Sequence, residues 1–106
     1  MQIQDLEIWR GNDVTLPFEF DDLTGNDYSL VGASLKFTTD SVSTLEIPLT
    51  ISDAASGKAS LSLTSAQTRL LPLGRVTQYE IEETRGGKQT TLLSGMINAQ
   101  GGVNVD

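Results

Sequence analysis

The residues from Gly57 to Glu82, GKASLSLTSAQTRLLPLGRVTQYEIE, decide the fold. Ala59, Leu61 and Leu63 alternate with Lys58, Ser60 and Ser62, the period-two pattern of a strand with one buried face. Thr64 then stands three residues before Gln67, the spacing of a capping box: the Thr hydroxyl accepts from the third helical amide and the Gln reaches back. The pattern predicts one short helical turn over residues 64–71, with Leu70 and Leu71 closing it onto the core and Pro72 forbidding its continuation. So short a helix is unstable alone and must be held by packing. After Gly74 the alternation resumes, with Thr77, Tyr79 and Ile81 inward and Gln78, Glu80 and Glu82 outward. Two strands joined by a short helix across an open end form the crossover by which a β-sandwich passes from one sheet to the other.

The remaining segments read as strands completing those sheets. Ile3 to Trp9 alternates loosely and places Trp9 on the polar phase, as an inter-sheet plug or a contact residue; its size favours the plug. Arg10-Gly11-Asn12-Asp13 is a turn. Val14, Leu16, Phe18 and Phe20 give a half-buried strand in which Pro17 marks an edge or a bulge. Ala33 to Thr38 is a further strand, followed by a turn at Thr39-Asp40-Ser41. Leu45, Ile47, Leu49 and Ile51 alternate as one more strand, placed at an edge by Pro48. Asp53 to Gly57 is a tight turn, and Arg85-Gly86-Gly87-Lys88 a hairpin. Thr90 to Ile97 is apolar on both phases, as in an interior strand covered on each side, and Gly95 marks a bulge or a close backbone approach.

About seven short strands and one helical turn predict an all-β, immunoglobulin-like antiparallel β-sandwich, with a small barrel as the alternative. Residues 1–98 are expected to form the single domain, and residues 99–106 a loosely ordered C-terminal tail.

Composition narrows the chemistry. The 106 residues contain no histidine and no cysteine, which removes the usual general base, the common nucleophile pairs, disulfides and nearly all zinc chemistry. The net charge is −7, and residues 1–30 hold seven acidic side chains against Arg10 alone. Such a surface repels phosphate backbones and anionic lipid, so neither nucleic acid nor a membrane is an expected partner. No signal-like or spanning apolar run is present, so synthesis in a cytoplasm without a leader of its own is expected. Asp21, Asp22, Asn26 and Asp27 offer oxygen ligands, but their spacing is not that of a calcium loop, and a solvated hairpin loop is the better reading. Glu82 and Glu83 are adjacent on a strand and point to opposite faces, wrong for a shared acid–base site. No catalytic residue, cofactor-binding residue or metal ligand is therefore expected.

A strand ending Trp9-Arg10-Gly11-Asn12-Asp13, the Tyr28-Ser29-Leu30-Val31-Gly32-Ala33 approach to Leu35-Lys36-Phe37, and the stretch Gly57 to Leu63 occur in series. Thr64, Gln67-Thr68, Leu70, Pro72-Leu73-Gly74, Tyr79-Glu80-Ile81 and Thr91 to Ile97 follow in order. That series resembles a domain of tail and baseplate proteins of tailed bacteriophages and prophages, typified by the N-terminal domain of the baseplate upper protein. The resemblance implies a non-enzymatic structural module in the virion, made in the bacterial host cytoplasm. It would act in assembly by docking on other phage tail proteins, as a homo-oligomer in the particle. The acidic first third would steer the domain toward a basic partner surface. Two other readings remain: a carbohydrate-binding module, resting on Trp9 and Tyr28, and an immunoglobulin-like domain with an unknown protein partner.

Overall fold

The alternating segments pair into two sheets in the computed structural model, which describes residues 2–22, 24–40 and 45–101. The larger sheet contains β1 (Gln2–Ile3), β2 (Leu6–Trp9), β4 (Ser34–Thr39), β5 (Glu46–Pro48), β8 (Gly74–Arg85) and β9 (Lys88–Gln100). Its order is β1-β9-β8-β4-β5, with β2 also on β9. The smaller sheet holds β3 (Val14–Glu19), β6 (Thr50–Asp53) and β7 (Lys58–Leu63) in the order β3-β7-β6. The expected all-β sandwich is the observed architecture. Both prolines expected at edges lie there, Pro17 on β3 and Pro48 on β5, where a missing amide donor removes no ladder bond from a sheet interior.

The central stretch crosses between sheets as its sequence implies. β7 belongs to the smaller sheet and β8 to the larger, with α1 (Ser65–Thr68) between them. The helix is shorter than the 64–71 span: Thr64 is the N-cap, and its hydroxyl accepts from the Gln67 amide at 3.2 Å while the Gln67 side chain accepts from the Thr64 amide at 2.8 Å. Leu71 is buried as expected, but Leu70, just beyond the Arg69 C-cap, is exposed. Buried Thr68 ties the helix to the neighbouring turn. Its hydroxyl donates to the Asn12 carbonyl and accepts from the Gly11 amide, both at 2.9 Å.

The core is the two inner faces. Leu61 and Leu63 from β7 meet Phe37, Tyr79, Ile81 and Ile97 from the larger sheet, all essentially inaccessible. The Phe37 and Tyr79 rings stack at 5.6 Å. Each apolar side chain so buried contributes about 1.5–3 kcal/mol, and buried Leu63 and Leu71 flank the four-residue helix, whose own buried residue is Thr68.

Four differences from the sequence reading follow from pairing that period alone does not encode. The Ile3–Trp9 segment is two short strands, and both run parallel to β9 rather than antiparallel. The Leu45–Ile51 alternation is also two strands: β5 pairs with β4, β6 pairs with β7, and buried Leu49 is where the chain changes sheets. β9 continues through Ala99 and Gln100, which pair with Gly74 and Trp9, so the tail cannot begin at residue 99. Finally, β9 is interior to its sheet but not covered on both faces, since Leu92 and Met96 are only half-buried on its outer side. The rest of the expected tail, 102–106, and Ser41 of the turn lie outside the described residues.

Candidate functional site

The two ends of the sandwich differ in chemistry. At the crossover end, β2 finishes beside the end of β9 and the start of β8, since Trp9 pairs with Gln100 and Ala99 with Gly74. Trp9 is not the inter-sheet plug: Leu6 and Ile8 take the inward phase, and Trp9 points outward with 55% of its surface exposed. Its ring lies against Gly101, where a Cβ would come within 2.8 Å of it, so glycine there lets the indole rest on the backbone. The Arg10 guanidinium donates to the Arg69 carbonyl at 3.2 Å, bringing the crossover alongside. Leu70, Leu73 and Val76 are exposed on this end as well.

The opposite end is built from the 20–33 connection, the Asp53–Gly57 turn and the β8–β9 hairpin. The connection is fastened by Tyr28 and Leu30 amides donating to the Phe20 and Ala54 carbonyls, at 2.9 and 2.7 Å. Glu83 sits on the inward phase of β8, only 4% exposed, and accepts from the Tyr28 hydroxyl at 3.0 Å. Arg85 binds its other oxygen at 2.9 Å, donates to the Ser29 carbonyl at 2.6 Å and lies over the Tyr28 ring. Burial and the neighbouring Glu83 carboxylate push the Tyr28 phenol above its ordinary range. This closed cluster clamps the loop to the hairpin.

A second fastening holds the N-terminal edge. Between β1 and β2 the chain passes directly over Gly95, with the Gln4 carbonyl where a Cβ would stand. Gly95 therefore marks a close backbone approach. The register breaks between β8 and β9 lie elsewhere, between Arg75 and Thr77 and between Ile81 and Glu82. The Tyr79 hydroxyl donates to the Gln4 carbonyl, and burial with the nearby Asp5 charge pushes that phenol up to about 12. The Asp5 carboxylate accepts from the Met96 amide at 3.0 Å and pairs with Arg75, and both lower its pKa.

The groups weighed from sequence are placed as follows. Asp22 organises its own loop, accepting from the Thr24 amide and hydroxyl at 2.8 and 2.7 Å and from the Asn26 amide at 3.0 Å. Those bonds hold its pKa below the ordinary carboxylate range, the Thr24 hydroxyl foremost. Asp21 and Asp27 face each other in an antiparallel bridge. Among the described residues no group of three or more acidic side chains is arranged to hold a metal ion. Glu82 and Glu83 do point to opposite faces, Glu83 inward and Glu82 half-buried. Tyr28 and Trp9, the two aromatics considered for sugar stacking, lie at opposite ends, so the structure does not bring them together. The Glu83–Arg85–Tyr28 cluster was missed; the available signal was Glu83 in phase with Tyr79 and Ile81, with an arginine two residues on.

Two antiparallel sheets with parallel edge strands and a helical crossover define the chain as an all-β sandwich domain. Among solved structures it is similar to the N-terminal domain of phage TP901-1 ORF48, with a TM-score of 0.68 and 12% identity, covering 92% of this chain and 86% of that one. It is also similar to a chain described under multimeric cell-adhesive interactions of VGSC beta subunits, with a TM-score of 0.53 and 11% identity, covering 92% of each chain. No protein-family profile and no curated protein matches the sequence. These likenesses are of fold.

Proposed function

We propose that this domain is a non-enzymatic structural module of a bacteriophage or prophage tail, of the baseplate or associated with its fibres, that docks on other tail proteins during virion assembly. The observation that carries the reading is the overlay of nearly the whole chain on a phage N-terminal domain, together with the serial motif order from Trp9 to Ile97. The polar groups that could have served chemistry support it. Asp5, Asp22 and Glu83 are each engaged in holding a segment of the fold, and the chain lacks histidine and cysteine. In this reading the domain is a virion component, made in the host cytoplasm, that works by surface complementarity without a cofactor. Sequencing the genes that flank its own tests this: neighbours encoding tail tube, tape measure or fibre support the reading, and metabolic neighbours contradict it.

The exposure of Trp9, with Asn98 and Gln100 on the same outer face, favours carbohydrate binding as the second reading. Titrating Trp9 fluorescence with a panel of sugars decides it. Saturable quenching supports a glycan site, and a flat response removes it.

A further inference from the structure

We draw no further inference here: the strongest candidate, the exposed apolar patch of Trp9, Leu70, Leu73 and Val76 at the crossover end of the sandwich, carries nothing, because nothing in the structure shows what covers it.

Discussion

Glu83 and Arg85 stand two positions apart on β8, hence on one face, and close an ion pair at 2.9 Å with the carboxylate almost wholly buried. The arginine is the less buried partner and reaches in from the hairpin end. Removing it leaves a charge in the sandwich interior with only the Tyr28 hydroxyl to satisfy it. Arg85→Ala is therefore expected to cost roughly 3–5 kcal/mol. Glu83→Gln keeps the shape and an acceptor for Tyr28, and should cost less. Urea unfolding of the two variants checks the order, and an Arg85→Ala variant as stable as the wild type would refute the clamp.

The seat of the N-terminal edge depends on one missing methyl group. In Gly95→Ala the new Cβ would run into the Gln4 carbonyl, a backbone atom that cannot swing away. Overpacking of this kind costs about 1–3 kcal/mol. Amide hydrogen exchange should accelerate along Leu6–Trp9 and stay unchanged in β7, because β2 reaches the sheet only through β9.

The crossover helix has few bonds of its own, so its cap carries unusual weight. Thr64→Ala removes the hydroxyl that accepts from Gln67 and should lower stability by about 1 kcal/mol, while Thr64→Ser should be nearly neutral. Thermal unfolding of the pair distinguishes the hydroxyl from the methyl group.

Acid and alkali act on different fastenings. Asp5 and Asp22 have pKa values lowered in the fold, so their stabilisation is present above the ordinary carboxylate range near 3.8 and is lost as pH falls through their lower folded values. Asp5→Asn with Asp22→Asn should flatten the acid limb of stability against pH. Tyr79 is raised from 10.0 to about 12, so its contribution is complete below pH 10 and disappears as pH rises toward 12. Tyrosinate absorbance in the folded protein should show a late step near pH 12 that Tyr79→Phe abolishes.

Much of the fold was legible because its local signals agree with its tertiary pairing. Thr64 and Gln67 predicted their own hydrogen bonds, and Arg85 to Lys88 its hairpin. Direction was not legible, because period two is the same for parallel and antiparallel strands; hence the parallel pairing of β1 and β2 was missed. The switch at Leu49 was hidden for a related reason, since a strand that turns a corner between sheets keeps its inward phase on both sides. Trp9 shows the reverse: its phase places it outward, against the general tendency of large aromatics to be buried. The exposure of Leu70 was hidden for a different reason, since it reads as core if the helix runs to residue 71 rather than ending at Thr68.

The central claim is that the domain is part of an assembled phage tail. Quantitative mass spectrometry of gradient-purified tailed particles, produced by cells that carry the gene, tests it most directly. The account predicts the chain in the particle fraction at a fixed ratio to the tail proteins, retained through high-salt washing. A chain abundant in the lysate and absent from the particles would contradict it.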